Sequence, residues 1–316
     1  MNNILFLTKV NEKYMQELKN ENTNFDIFYA QDYDDALKYI NDTEIIVSFD
    51  SDFNSDLLEK ANKLKWIHLL SAGADTLPFN LLKKKKILLT NSKDIHKHQI
   101  SQQVLGYMLM IERSLDKFLR KQINKEWDRS VQVSELTEKS ALIIGAGSIG
   151  EEIARLLKEF GMKTYGIRNS GKPSVYIDKM YSSIENCDVI ADVDYVIAIL
   201  PLTKNTYHLI GKNVFDTMKK SAFFINVGRG KTVDETVLIE ALKKGNIKGA
   251  ALDVFEEEPL SIESPLWEME NVIITPHVAG ITPLYMKRAI EVLKKNLDFY
   301  VNGKPLINKI NLDKEY

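Results

Sequence analysis

Three glycines, Gly145, Gly147 and Gly150, have the spacing of a phosphate-binding turn, since residues 145–150 read GAGSIG. In such a motif the first glycine permits a tight turn, the second lets the backbone approach a pyrophosphate, and the third allows a helix to pack closely on a strand. The free N–H groups and the positive dipole end of the following helix then face the phosphates. This spacing predicts that the chain binds a dinucleotide.

The residues on both sides of the glycines predict the elements that such a site requires. Residues 140–144 are a short apolar, β-branched run, which is typical of a buried strand. Gly161 indicates the end of the following helix, and residues 163–167 (KTYGI) predict a second strand. Within that helix, apolar residues recur at helical spacing, at Ile149, Ile153, Leu156, Leu157 and Phe160. The motif therefore lies in the order strand, turn, helix, strand that a dinucleotide site needs.

The end of the second predicted strand indicates which dinucleotide is preferred. NAD-binding folds carry an acid at this position, which accepts hydrogen bonds from the ribose hydroxyls, whereas this chain has Arg168. A cation attracts a 2′-phosphate, and Asn169, Ser170 and Lys172 follow as further donors. We therefore expect NADP(H) to be favoured over NAD(H). The alternative is that Arg168 stacks on the adenine or points to solvent.

The composition is that of a globular protein without a strongly charged surface. The 316 residues are 44% hydrophobic and 27% charged, with a formal net charge of −2. This length suggests about two domains, and the charge gives no basic field for nucleic acid. Cys187 is the one cysteine, so a cysteine-based metal cage is excluded and we expect no metal. Without a signal-peptide pattern or an apolar run of about 18 residues, we expect a cytoplasmic protein with no membrane partner.

Residues 1–95 alternate short apolar runs with polar helical stretches, which predicts a small α/β unit. The fourth apolar run leads into residues 71–75 (SAGAD), whose small side chains leave the backbone N–H groups open to an anion. Taken alone, however, the stretch is typical of an ordinary turn between a strand and a helix, and the anion site is the alternative. The predicted strands of this unit are residues 4–7, 25–29, 44–49, 66–70 and 87–90.

A helical pattern from His96 to about Trp127 predicts one long helix that links two domains and offers a dimer surface. Residues 140–282 then repeat the alternation of strands and helices of a complete nucleotide-binding domain. Past Gly280 a last helical pattern could return the chain to the first unit. The predicted elements of the second domain are strands at 195–200, 222–227, 250–254 and 272–275 and a helix at 234–244.

Four short stretches follow predicted strands in order behind the glycine motif: residues 200–203 (LPLT), 226–230 (NVGRG), 253–259 (DVFEEEP) and 275–277 (TPH). With them the chain resembles the D-isomer-specific 2-hydroxyacid dehydrogenase family. The resemblance covers nearly the whole chain, from residues 71–75 through Arg113, Gln122 and Trp127 to residues 264–267 (SPLW) and the last stretch. One departure lies at Ser101, Gln102 and Gln103, where many members read Ala-Glu-His or Ala-Glu-Tyr.

The resemblance implies an α/β fold of two doubly wound parallel-sheet domains, with a Rossmann cofactor domain inserted into a smaller flavodoxin-like substrate domain. We expect the substrate domain at residues 1–95 and 283–316, and the dinucleotide-binding domain with its linking helix at 96–282. The resemblance also implies a small-molecule acid substrate and a nicotinamide cofactor. From the dimer surface offered by the linking helix, we expect a homodimer.

Carried over position by position, the catalytic arginine, glutamate and histidine of the family fall on Arg229, Glu258 and His277. Arg229 is also expected to bind the substrate, and the backbone amides of Ala72 and Gly73 to bind its carboxylate. Together with the residues already described, the expected cofactor-binding positions are Gly145, Gly147, Ser148, Ile149, Gly150, Arg168, Asn169, Ser170, Pro201, Val227 and Asp253.

These residue types suit the reduction of a 2-oxo acid, in which negative charge appears on the carbonyl oxygen as hydride reaches the carbon. Histidine can donate and accept a proton near neutral pH, and a carboxylate such as that of Glu258 on its far nitrogen favours the charged ring. Arginine offers a permanently charged, planar fork to a carboxylate and its adjacent carbonyl. Without the family context, His277 and Arg229 could equally be structural or exposed residues, and Glu258 part of a solvated acidic run.

The sequence therefore predicts an oxidoreductase that reduces a small 2-oxo acid, with glyoxylate or hydroxypyruvate as the leading substrates, to the D-2-hydroxy acid. A phosphoglycerate dehydrogenase catalytic core is one alternative. The other is a non-catalytic, dinucleotide-sensing protein that resembles the corepressors of this fold and acts by binding partners.

Overall fold

The computed structural model describes residues 2–21, 24–52, 55–74 and 76–313, which divide into two units. Unit 1 comprises residues 1–96 and 282–316, and unit 2 comprises residues 97–281. The domains expected from the sequence were 1–95 with 283–316, and 96–282, and their roles stay predictions. Asp75 and the tail residues 314–316 lie outside the described residues.

Unit 1 contains a parallel sheet whose described strands have the order β2-β1-β3-β4-β5, which is the flavodoxin-like order. Strands β3 and β4 are buried along their whole length, because helices cover both faces of such a sheet. The strands are β1 (Asn2–Phe6), β2 (Phe25–Tyr29), β3 (Thr43–Ser48), β4 (Trp66–Leu69) and β5 (Leu88–Asn91). The first helices are α1 (Glu12–Glu21), α2 (Tyr33–Leu37), α3 (Ser55–Lys60) and α4 (Phe79–Lys85), with 3-10 turns at Ile40–Asp42 and Asp50–Asp52.

Unit 2 begins with two helices and continues as a parallel sheet with helices between its strands. Its helices are α5 (Lys97–Glu112), α6 (Leu115–Ile123), α7 (Ser148–Glu159), α8 (Lys212–Thr217) and α9 (Glu235–Lys244). Its strands are β6 (Ser140–Ile144), β7 (Lys163–Ile167), β8 (Lys179–Tyr181), β9 (Tyr195–Ala198), β10 (Phe223–Asn226), β11 (Gly249–Leu252) and β12 (Val272–Ile274). Short 3-10 turns lie at Asp188–Ala191, Gly230–Thr232 and Pro265–Glu268.

The described strands of unit 2 have the order β12-β11-β10-β9-β6-β7-β8, with every pair of neighbours parallel. Counted from β6, this is the doubly wound Rossmann order with one additional strand at the far edge. The strand order reverses between β6 and β9, and ligands of such sheets bind at that point, beyond the carboxyl ends of the strands. The predicted fold class is confirmed.

The prediction of one long helix from His96 to about Trp127 is wrong. The chain forms α5 and α6, and between them Ser114 has a positive φ of 48°. The Ser114 hydroxyl donates to the carbonyl of Gln132 at 2.8 Å, and Arg113 donates to that of Ser134 at 3.2 Å. These side chains bind the backbone of a later segment, which competes with continued helix.

A last helix, α10 (Tyr285–Val301), belongs to unit 1. Its apolar face buries Ala289, Ile290, Leu293 and Leu297 in one core cluster with Ile4 and other residues of the first strands. Beyond it, the backbone of Ile310 donates to the carbonyl of Leu89 in β5 at 2.9 Å. Unit 1 is therefore built from both ends of the described chain.

Candidate functional site

Arg229, Glu258 and His277 all lie at one edge of the unit 2 sheet. They follow β10, β11 and β12, which are neighbouring strands. Because carboxyl ends of parallel strands meet at one edge, the three loops come together. Gly230 permits part of this approach, since a Cβ atom there would lie 1.8 Å from the Phe255 carbonyl oxygen in the loop after β11.

The side chains of Glu258 and His277 form a hydrogen bond. The Glu258 Oε2 atom lies 2.7 Å from Nδ1 of His277, while Oε1 accepts a hydrogen bond from the Phe255 backbone at 3.1 Å. The carboxylate thus fixes the ring by one nitrogen and leaves Nε2 to exchange a proton with a ligand. The side chain of His277 is 49% exposed and that of Glu258 is 35% exposed, so a ligand can reach the pair.

Asp253 holds the loop that carries His277. Its side chain is 1% exposed, and its carboxylate accepts hydrogen bonds from the backbone of Val278 at 3.0 Å and of Ala279 at 2.9 Å. The Thr275 hydroxyl donates to the same carboxylate. We expected Asp253 to bind the cofactor, and these contacts give it the further role of positioning the loop.

Tyr107 supports this loop from α5, a contact for which the sequence carries no motif. Its hydroxyl contacts the Thr275 hydroxyl, and because Thr275 donates to Asp253, Tyr107 is the donor to Thr275. Burial raises the pKa of Tyr107, which keeps the hydroxyl protonated. Gln103, one of the residues that depart from the family pattern, lies near the same hydroxyl and lowers its pKa in part. The departure therefore places a polar side chain near the Tyr107 hydroxyl.

Arg229 caps the 3-10 turn after β10. Its carbonyl oxygen accepts the Thr232 hydroxyl at 2.6 Å, and its guanidinium donates to the Gly228 carbonyl at 3.0 Å. The side chain is half-buried, so its charge is held near the strand end.

The glycine turn after β6 fits a pyrophosphate. Gly145 and Ala146 donate backbone hydrogen bonds to the Ile167 carbonyl at 3.0 and 2.9 Å, and Gly145 has a φ of +100°. Gly147 is the exposed residue that precedes α7, and a Cβ atom there would meet no described atom within 4 Å. A side chain would fill the open space before the helix, where its free N–H groups attract a phosphate.

The other expected cofactor positions lie in α7 and after β9 and β10, and they differ in exposure. Ser148 is exposed and Ile149 half-buried in the first turn of α7, and Gly150 is buried against β6. Pro201 follows β9, across the point where the strand order reverses. Val227, at the end of β10, is 6% exposed.

Arg168 lies directly after β7, and its guanidinium is hydrogen-bonded to other residues of this chain. It donates to the Glu151 carboxylate at 2.9 Å and to the Lys172 and Pro173 carbonyls at 2.7 and 2.9 Å. A longer contact of 3.4 Å reaches the Ala146 carbonyl in the glycine turn. Asn169 and Ser170 are exposed beside it. The sequence had no signal for the contact with Glu151.

In unit 1, Ala72 and Gly73 follow β4. Their carbonyl oxygens are bound by the side chains of Asn91 and Ser71, the latter at 3.0 Å. In the part of the chain that the structure describes, no acceptor faces their backbone N–H groups. The two N–H groups are therefore without a backbone acceptor in this loop.

Two further features concern metals and membranes. Across the described ranges, no three His, Cys, Asp or Glu side chains are grouped so that they could hold a metal ion. No helix in those ranges combines the length and the apolar character that a bilayer span requires.

The curated proteins that are similar to this chain include a dehydrogenase and a reductase. This chain is 32% identical over 288 residues to D-3-phosphoglycerate dehydrogenase of Methanocaldococcus jannaschii, which covers 88% of this chain and 54% of the relative. The chain thus spans about half the length of that relative. It is 35% identical over 262 residues to glyoxylate/hydroxypyruvate reductase B of an Enterobacter species, which covers 81% of this chain and 80% of the relative.

Solved structures give the same picture. A D-isomer specific 2-hydroxyacid dehydrogenase family protein from Aeromonas salmonicida has a TM-score of 0.88, 34% identity and 99% coverage of both chains. A D-isomer specific 2-hydroxyacid dehydrogenase from Xanthobacter autotrophicus, in complex with NADPH and MES, has a TM-score of 0.85 and 26% identity, covering 100% of this chain and 99% of that one.

A sequence model of the D-isomer specific 2-hydroxyacid dehydrogenase NAD binding domain matches residues 105–279, which is more than half of the chain. The described geometry of unit 2, its strand order and the relatives agree with this match. The chain therefore belongs to the D-isomer-specific 2-hydroxyacid dehydrogenase family of NAD(P)-dependent enzymes.

Proposed function

We propose that this enzyme reduces a small 2-oxo acid, foremost glyoxylate or hydroxypyruvate, to the D-2-hydroxy acid. The observation that carries the proposal is the 2.7 Å contact between Glu258 and His277, at the strand edge that also carries Arg229. The similarity to a glyoxylate/hydroxypyruvate reductase supports the choice of substrate.

The nicotinamide cofactor, when bound, supplies the hydride, and the residues of this chain supply the rest. His277 donates a proton from Nε2 to the substrate oxygen, and the Glu258 carboxylate stabilises the charged ring before that transfer. Arg229 stabilises the developing negative charge and binds the substrate. In unit 1, the N–H groups of Ala72 and Gly73 bind the substrate carboxylate.

For the cofactor we propose contacts from Gly145, Gly147, Ser148, Ile149, Gly150, Pro201, Val227 and Asp253, with Arg168, Asn169 and Ser170 at the adenosine ribose. We further propose that NADP(H) is favoured over NAD(H), because Arg168 replaces the acid that would repel a 2′-phosphate. The NADPH complex of the Xanthobacter protein supports this preference.

A phosphoglycerate dehydrogenase core is the second candidate, favoured by the similarity to the Methanocaldococcus enzyme. The two are separated by a panel of 2-oxo acids with and without phosphate groups, assayed with NADH and with NADPH. We expect turnover of glyoxylate or hydroxypyruvate, at least about 10-fold more efficient with NADPH, which is the scale of one charge-assisted contact. Turnover of phosphohydroxypyruvate alone would favour the second candidate. No turnover on any acid would favour the dinucleotide-sensing alternative.

We also propose that the enzyme is located in the cytoplasm, for which the support is the sequence alone. We further propose that it is a homodimer. Helix α6 buries none of its described residues and has an amphipathic pattern. Together with the segment after it, α6 exposes apolar side chains at Leu115, Phe118, Leu119, Ile123, Trp127 and Val133. An exposed apolar surface of this kind marks a protein contact, and a second copy of the chain is the partner we propose.

A further inference from the structure

The guanidinium of Arg168 has no donor left for a ligand. An arginine has five N–H donors in one plane. In Arg168, Nε donates to the Lys172 carbonyl, Nη2 to the carbonyls of Lys172 and Pro173, and Nη1 to Glu151 and to the Ala146 carbonyl. A ligand anion can therefore reach the edge of this guanidinium only by replacing one of these partners.

The partners differ in how readily they can be replaced. The carbonyls of Lys172 and Pro173 belong to the backbone of the loop that follows a turn closed by a hydrogen bond from Gly171 to Arg168 at 2.9 Å. Losing them requires movement of the loop. Glu151 is bound by its side chain alone, which is 37% exposed and can turn into water without moving the backbone. It is also the one anionic partner among these contacts, so a phosphate in its place would again pair the guanidinium with a negative charge.

From this geometry we propose that Glu151 is a specificity-determining residue, which competes with a 2′-phosphate for Arg168 and so limits the preference for NADP(H). A ligand with a 2′-phosphate must break the contact between Glu151 and Arg168, whereas a ligand with a free 2′-hydroxyl leaves it intact. The proposal rests on the NADP(H) preference given above. Glu151 lies in the first turn of α7, where the helix dipole favours an acid. The test must therefore distinguish competition for Arg168 from a role of Glu151 in stabilising the helix.

Two fragments of the dinucleotides measure this competition without any turnover. Adenosine 2′,5′-bisphosphate and 5′-AMP differ in the 2′-phosphate, and calorimetry gives the affinity of each for the whole protein. We expect Glu151→Gln to strengthen binding of the bisphosphate about 5-fold, the upper range for an exposed ion pair, and to change 5′-AMP binding less than about 2-fold. The matched control is Glu159→Gln, which removes the same charge from the exposed end of α7 and should change neither affinity.

A second pair of variants tests whether Glu151 acts through the guanidinium. In an Arg168→Met background, Glu151→Gln should leave bisphosphate affinity unchanged, because the guanidinium for which Glu151 and the phosphate compete is gone. A gain that persists in that background would overturn the competition and assign the effect to direct repulsion of the phosphate. An equal gain for 5′-AMP, or no gain for the bisphosphate in the single variant, would also overturn it.

The outcome is independent of the proposed reaction. A protein that shows the bisphosphate gain but reduces none of the 2-oxo acids would keep the role of Glu151 and refute the proposed substrate. If the protein reduces a 2-oxo acid and Glu151→Gln leaves both fragment affinities unchanged, the proposed reaction stands and the role of Glu151 is refuted. A protein that binds neither fragment would refute the role of Glu151, and the assay with 2-oxo acids would still decide the reaction.

Discussion

The backbone N–H of His277 donates to the carbonyl oxygen of Asp253 at 2.8 Å, and His277 holds a left-handed conformation with a φ of 53°. Residues other than glycine adopt this region at some cost, and they stay there where the surroundings fix them. The Asp253 carboxylate supplies that constraint by binding the next two backbone N–H groups. The acid-base side chain is thus positioned from its backbone as well as from its ring.

Asp253→Asn should lower both stability and kcat. An amide has one acceptor oxygen in place of two, so a buried N–H group loses its partner, at a cost of about 2 kcal/mol in the free energy of unfolding. We expect kcat to fall at least about 10-fold as the His277 loop shifts, since small displacements of a reacting group are costly. Urea unfolding and steady-state kinetics measure the two effects.

The matched control is Asp234→Asn, because Asp234 caps α9 and asparagine caps a helix equally well. That variant should keep wild-type stability and rate. If Asp253→Asn instead weakened dinucleotide binding with kcat retained, the positioning role would be wrong and direct cofactor contact would remain.

Glu258→Gln should lower the rate of reduction. The Glu258 carboxylate is hydrogen-bonded to the His277 ring, and a neutral amide stabilises positive charge on that ring less than a carboxylate does. The kcat for reduction at pH 7 should therefore fall about 2- to 5-fold, the scale of one partly exposed contact between charged groups. His277→Ala, as the reference, should lower kcat about 100-fold or more with dinucleotide binding kept. A Gln variant with the wild-type kcat would remove Glu258 from the mechanism.

Gly147→Ala and Gly145→Ala should separate binding from folding. At position 147 a Cβ atom meets open space, so the variant should fold with a loss of about 1 kcal/mol from the helix cap and bind dinucleotide about 10-fold more weakly. At position 145 a Cβ atom would lie 2.3 Å from the Ile199 carbonyl oxygen, at a positive φ, so this variant should lose about 3 kcal/mol or more. Thermal unfolding and fluorescence titration with NADPH give the comparison. Unchanged affinity in Gly147→Ala would place the pyrophosphate elsewhere.

His68 makes the stability of unit 1 depend on pH. Its ring is buried between the hydroxyls of Thr90 and Ser92, at 2.8 and 3.2 Å, and burial lowers its pKa to about 3. Because the unfolded ring takes up a proton below about pH 6.5 and the folded one does not, stability is full above that pH and falls as the pH decreases towards 3.

The measurement is the free energy of urea unfolding at pH 7 and at pH 5. The stability advantage of the wild type over His68→Gln should shrink by about 2 kcal/mol between the two, since each pH unit below the unfolded value is worth about 1.4 kcal/mol. An advantage that is equal at both pH values would show that His68 is protonated in the folded protein.

Ile123→Asp should dissociate the proposed dimer. Ile123 is 79% exposed on α6, and a charge there would be buried without a partner in an apolar contact. Light scattering should give twice the chain mass of 36.2 kDa for the wild type and a single chain mass for the variant. Ile262→Asp, a change at an 88% exposed apolar residue outside α6, is the control and should stay dimeric. A wild type that is monomeric at micromolar concentration would refute the dimer.

The strands and the strand ends could be predicted because their signals are local. Buried parallel strands such as β9 (YVIA) are continuous apolar runs in the sequence, and the glycine turn has a fixed spacing. Strand β8 was not predicted, because it is three residues long with the sequence KMY and lies at the edge of the sheet. Its pairing is decided by β7 and not by its own composition.

Contacts between residues far apart in the chain could not be predicted. The break between α5 and α6 depends on Ser114 meeting Gln132, and the support of the His277 loop depends on Tyr107 meeting Thr275 across 168 positions. Arg168 shows the same limit, because its charge is evident in the sequence while the acid that binds it is fixed by the path of α7. Residue types thus indicated the chemistry, and tertiary contacts decided how it is held.

The place of α10 in unit 1 also bears on how the protein is made. A ribosome releases residues 1–96 long before residues 285–301, and it releases all of unit 2 in between. Until α10 emerges, Ile4, Phe6 and their neighbours lack the helix that covers them, and an uncovered apolar sheet face invites aggregation. Unit 2 can complete its own core before α10 is made. During synthesis unit 2 should therefore fold before unit 1, although the chain begins with residues of unit 1.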